Sequence, residues 1–198
     1  MSEPTARQAR QVLERAETLL AAGTPRDVAA AAKLAKAALD KAAEAGLREE
    51  HTRALAVLGR AFVERREYAR AKPFHTAALE RFRQVGDMRG AAASLGGLGL
   101  CKLGIGNTAD AVPLLRQAIT LLHDEQAWQA ESAWRVHLDH TLRLLDRAQM
   151  RITELWAWVP VAEALGDDAL RHSLLSDLVS SCEDVGDQPG ADAARAAL

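Results

Sequence analysis

Residues 55–82 read LAVLGRAFVERREYARAKPFHTAALERF, and residues 95–122, forty positions further on, read LGGLGLCKLGIGNTADAVPLLRQAITLL. At matching offsets the two stretches carry Leu55 and Leu95, Leu58 and Leu98, Gly59 and Gly99, Ala71 and Ala111, Pro73 and Pro113, Ala78 and Ala118. The frame extends outward to Ala31, Ala38, Leu138, Leu178 and Ala191, while Gly46, Gly86 and Gly166 close three of its units. Self-similarity at this period marks a stack of helical hairpins, each too thin to bury its apolar face alone. Within the frame, apolar residues recur every three or four positions, as in Leu55, Leu58, Phe62 and then Ala71, Phe74, Ala78, Phe82.

Five units follow, at about 5–46, 47–86, 87–126, 127–166 and 167–198, together read as one all-α domain over 1–198. Thr24 before Pro25 is a helix-start signal, Gly106–Asn107 a turn, and the lone serines read as helix caps. At 48% hydrophobic and 26% charged, the chain can bury a continuous core, and aromatics at 4% leave little for a β-sandwich.

Several function classes are set aside. Net charge is −2, which does not suit a nucleic-acid binder. The charge is uneven: residues 1–100 hold 17 Lys/Arg against 12 Asp/Glu, and residues 101–198 hold 8 against 15. That asymmetry reads either as a basis for head-to-tail association or as solvated helix faces. No membrane span is expected, and Met1, Ser2, Glu3 and Pro4 do not begin a secretion leader, so the expected location is cytoplasmic. Cys101 and Cys182 lie far apart and read as core thiols. The SLGGLGL stretch lacks the spacing of a phosphate loop, and no GxSxG nucleophile elbow occurs. His137 and His140 stand three apart near Glu131 and Asp139, but no second ExxH or HExxH supplies facing ligands. No metal, cofactor or catalytic residue is therefore expected, and His51, His75, His123 and His172 are read as surface or edge residues.

Through Leu55, Leu58, Gly59, Phe62, Ala71 and Ala78, then Leu95, Leu98, Gly99, Ala111 and Ala118, the chain resembles the tetratricopeptide repeat family in its 40-residue variety. The resemblance implies an α-solenoid: a right-handed superhelix of about five antiparallel helix hairpins whose first helices line a concave groove for a partner peptide or helix. Small residues on facing helices permit close approach, and the expected pairs are Gly59 with Ala71 and Gly99 with Ala111.

Unit four departs from the pattern, because Asp139 replaces the glycine, Arg151 replaces the first alanine and Trp158 the second. Asp139 and Arg151 are expected to form a partly buried ion pair, or else the unit has slipped register. Trp158 is expected to wedge units four and five apart. The partner-binding candidates are Arg53, Arg60 and Glu64 on the first helix of unit two, with Trp134, His137 and His140 on that of unit four. The expected function is non-enzymatic: a scaffold or adaptor for another protein, with a peptide-sensing regulator or a self-assembling structural homo-oligomer as alternatives. The last helix, lacking a polar cap in sequence, is expected to expose an apolar face for dimerisation.

Overall fold

The computed structural model describes the backbone of residues 3–198 and side chains from residue 6 onward. Met1 and Ser2, on which part of the leader reading rests, lie outside the described residues. Among the described residues there are ten helices and no strand. They are α1 (Glu3–Ala22), α2 (Pro25–Glu44), α3 (Arg48–Glu64), α4 (Tyr68–Val85), α5 (Met88–Gly104), α6 (Thr108–Asp124), α7 (Trp128–Leu144), α8 (Ala148–Leu165), α9 (Asp168–Val185) and α10 (Gln188–Ala197). Every expected boundary between units falls in a turn between helices. None of the described helices is long and apolar enough to cross a membrane.

The turns explain the regularity. A left-handed residue closes a helix at positions 46, 66, 86, 106, 126, 146, 166 and 186, every twenty residues. Five of these are glycines, whereas Arg66, Gln126 and Asp146 hold the same conformation at φ of 59°, 53° and 53° against the steric preference of a side chain. Two reverse hydrogen bonds finish each helix, as when Gly86 N–H donates to Arg83 C=O and Asp87 N–H to Phe82 C=O. Helix starts are capped by Thr24, Asp87, Asp167 and Asp187. Among the described residues serine does not fill that role, and Ser2 lies outside them: Ser94, Ser132 and Ser181 lie inside helices, and Ser94 and Ser181 donate back to the carbonyls of Gly90 and Asp177.

The chain forms two compact units, Met1–Asn107 and Thr108–Leu198. In the first, α2 packs between α1 and α3, and α4 between α3 and α5. Leu13, Leu20, Val28, Ala31, Leu58 and Phe62 belong to its core. Phe62 and Phe74 stack at 5.5 Å, and the Arg70 guanidinium lies 4.2 Å from the Phe62 ring centre. In the second unit, Ile152, Leu155, Trp158, Leu175, Leu178 and Cys182 gather with Ala191 and Ala194. Burial pushes the Cys101 thiol up to about 11. The outward face of α10 is Asp192, Ala193, Arg195 and Ala196, with Arg195 ion-paired to Asp192 and Glu183. The apolar end expected there is thus a face of small and charged side chains.

Ala71, Ala78, Ala111 and Ala118 are all fully buried, and Gly59 and Gly99 are buried with them. Across from Gly59, however, stands the ring of His75 and not Ala71: a Cβ built on Gly59 would lie 2.8 Å from His75 Nε2. The same imidazole occupies the space a side chain on Gly97 would need. Two parallel arrangements flank it, since a Cβ on Gly90 would strike Phe82 and one on Gly104 would strike Tyr68. Tyr68, His75 and Phe82 are spaced by seven on α4, and Gly104, Gly97 and Gly90 by seven on the antiparallel α5, so three rings lodge in three glycine slots. The Gly-rich stretch of α5 serves packing.

His75, expected at the surface, is 4% exposed and neither ring nitrogen has a hydrogen-bond partner. Burial pushes its pKa down to about 4, only partly offset by the nearby Gly59 backbone. Because the folded protein holds this imidazole neutral, stability is complete above the ordinary value of 6.5 and falls as pH drops toward 4. Linkage sets the total loss at about 3 kcal/mol. His75→Leu should flatten this segment of the stability profile in urea titrations at stepped pH, and an unchanged slope would refute the assignment. In the same assay Gly97→Ala should cost about 1–3 kcal/mol, since its methyl group overlaps the ring.

Candidate functional site

In the first unit, neighbouring first helices are laced by ion pairs. Arg10 Nε lies 2.5 Å from a Glu50 oxygen, and Arg53 Nη2 donates to both Glu17 carboxylate oxygens at 2.8 and 2.9 Å. Arg53 is thus half-buried and committed to α1, where the sequence suggested a free groove cation. Exposed pairs of this kind are worth about 0–1 kcal/mol, so their effect is to fix side-chain direction. Arg60 and Glu64, one turn apart on α3, are exposed and form neither a hydrogen bond nor an ion pair among the described residues.

On α7 in the second unit, Trp134 is half-buried with its ring 5.5 Å from that of His137, and His140 is exposed. Two residues that sequence reasoning missed flank His140: Val136 is 54% exposed and Leu144 62%. Val136, His140 and Leu144 follow i, i+4, i+8 spacing and form one stripe. In the 40-residue frame they fill the slots of Ala56, Arg60 and Glu64, so the signal that could have found them was the repeat itself. Arg60 and Glu64 therefore face solvent on α3, where Ala56 is half-buried, and all three slots face solvent on α7, where both ends are apolar.

The departures in unit four build a charged interior. Arg151 Nε meets Asp139 Oδ1 at 2.6 Å, with the two side chains 13% and 17% exposed. Arg151 also reaches Ser181 and, at 3.1 Å, Asp177 on α9, which Arg143 meets at 2.8 Å. A second cluster was not anticipated. Glu131 is fully buried and accepts from Arg135 Nε at 2.8 Å, while Glu154 lies 3.7 Å from Arg135 and 2.7 Å from Arg116 on α6. Exposed His123 approaches Glu131 at 3.2 Å. Arg135 stands in the slot that Leu55, Leu95 and Leu175 fill, a departure the frame also displays.

Trp158 does not wedge this hairpin from the next. It is 5% exposed within the core of the second unit, and its Nε1 donates to Ser132 Oγ on α7 at 3.2 Å. Trp156 packs half-buried against the same core. Among the described residues no cluster of three or more His, Cys, Asp or Glu side chains is placed to hold a metal ion.

Removing one partner of a buried pair strands the other, whereas replacing both by apolar groups is often neutral. Arg135→Met should therefore cost about 3–5 kcal/mol in urea unfolding. The double change Glu131→Ala with Arg135→Leu, which restores the leucine of the other units, should lie within about 1 kcal/mol of the parent. Equal losses in both variants would show the pair is not coupled.

Comparison with known proteins places the repeat. Residues 52–123 match the tetratricopeptide repeat family. No match was found among curated proteins. Among solved structures, the chain is similar to a Rap protein crystallised with Competence and Sporulation Factor, at 16% identity and a TM-score of 0.77 over 98% of this chain and 53% of that one. It is similar to a putative kinesin light chain from Podosopora anserina with nearly identical TPR-like repeats, at 15% identity and a TM-score of 0.72 over 100% of this chain and 95% of that one. Aspartyl phosphate phosphatase F from Bacillus subtilis matches at 12% identity and a TM-score of 0.77, over 100% of this chain and 50% of that one. The chain spans about half the length of the Rap protein and of the phosphatase. At these identities the likeness shows the fold.

Proposed function

We propose that this chain, whose residues 52–123 match the tetratricopeptide repeat family, is a non-catalytic adaptor whose first-helix faces recognise a peptide or helix of another protein. The observation that supports this reading is that the second and third of three repeat slots are exposed on both α3 and α7, and the first on α7. Ala56, Arg60 and Glu64 occupy them on α3, and Val136, His140 and Leu144 on α7. Side chains that the fold leaves unengaged at one repeating position are available to a partner, and a scaffold already ordered loses little entropy on binding. Arg60 and Glu64 suit a partner's charges, while Val136 and Leu144 suit an apolar anchor. Trp134 and His137 support that stripe from the side.

A peptide-sensing regulator is the second reading, favoured by the Rap protein solved with Competence and Sporulation Factor, whose fold this chain shares over 98% of its length. The catalytic activity in the name of the phosphatase is not carried over, because a 12% identical neighbour shares the fold alone. A cytoplasmic location, where Cys101 and Cys182 stay reduced, belongs to the same proposal.

Selection of helical peptides from a display library, followed by calorimetry on the winners, tests the adaptor reading. Arg60→Glu or Leu144→Glu should weaken binding at least about tenfold, while Thr120→Glu, on exposed α6 surface, should leave it unchanged. Peptides that bind all three variants like the parent would place recognition elsewhere and sink the reading.

A further inference from the structure

The C-terminal turns of α2 and α4 both end beside the first turns of α3, and an open cavity of about 950 Å³ lies between them. Its size is that of a small-molecule site. Ala42, Leu47, Phe82 and Val85 give it an apolar wall, and Val85 is 75% exposed at the rim. Three arginines also line it. Arg53 is neutralised by Glu17, but neither Arg81 nor Arg48 has a carboxylate partner among the described residues.

Arg81 is the unusual one. It is half-buried, and its Nη1 donates to a neutral acceptor, His51 Nδ1, at 2.5 Å. An imidazole that accepts from a guanidinium must carry its proton on the other nitrogen, so His51 orients Arg81 without supplying counter-charge. Burial, and then the Arg81 charge, hold the His51 pKa below its ordinary value and keep it in that role. Of the two acids on the rim, Asp87 accepts the Gly90 N–H at 2.8 Å as the cap of α5, and Glu49 is exposed. A half-buried cation with unused donors thus borders an apolar hollow.

We propose that this cavity is a binding site for a small monocarboxylate with an apolar chain, the carboxylate paired with Arg81 and the chain against Phe82 and Val85. A planar guanidinium edge matches a carboxylate in a two-point contact. One half-buried cation above a largely apolar wall suits a singly charged head on a hydrocarbon tail better than a doubly charged phosphate. The site is distinct from the exposed slots of α3 and α7 on which the adaptor reading rests, so either can fail alone.

Hexanoate is the probe, with hexanol, hexylamine and inorganic phosphate as comparisons, followed by backbone amide chemical shifts of the full chain. Hexanoate should give saturable shifts at His51, Arg81, Phe82 and Val85, and hexanol should bind at least about tenfold more weakly. Arg81→Gln should remove that preference while circular dichroism stays unchanged. Val85→Asp, at an exposed position, should abolish hexanoate binding even if Arg81→Gln fails to fold. Equal binding of hexanol, equal binding of phosphate, shifts centred elsewhere, or no saturation at any soluble concentration would overturn the assignment.

Discussion

The lodging of Tyr68, His75 and Phe82 in the slots of Gly104, Gly97 and Gly90 governs the first unit. Five glycines inside α5, at 90, 96, 97, 99 and 104, weaken it as an isolated helix by about 1 kcal/mol each relative to alanine. What offsets that cost is the approach of α4, whose rings reach the α5 backbone directly and bury surface that any side chain would displace. Because both series repeat every seven residues on antiparallel helices, only one register seats all three rings. A slip by one turn would set rings against alanine and leucine.

That seating also explains a buried polar group with no partner. An imidazole with both nitrogens unsatisfied is costly. His75 is tolerated because the slot between Gly59 and Gly97 admits a flat ring, and because the ring is neutral at ordinary pH. Packing is achieved at the expense of stability in acid.

The second unit solves the same problem by other means. Where other hairpins use glycine, alanine and leucine, unit four uses Asp139, Arg151 and Arg135, and the helices are held by charged groups that reach across them. Such pairs contribute little net stability compared with apolar side chains, but they are directional, and each arginine on α6, α7 or α8 fits a specific acceptor on α7, α8 or α9. Trp158 fills volume in that core with its single N–H satisfied by Ser132. On the outside of α7, Val136 and Leu144 remain exposed.

The helices and the turns closed by glycine were legible in the amino-acid pattern, because they follow from local periodicity and from the left-handed backbone that glycine adopts at 46, 86, 106, 166 and 186. The sequence also located the Asp139–Arg151 pair, since both residues break a frame that fixes their position. It did not reveal that Gly59 faces His75, that Arg53 is tied to Glu17, or that Arg81 lacks a counter-ion. Those depend on the rotation of each helix about its axis and on which neighbour a long side chain reaches. Rotation is settled by the sum of packing over all facing helices, a quantity no single stretch of chain contains.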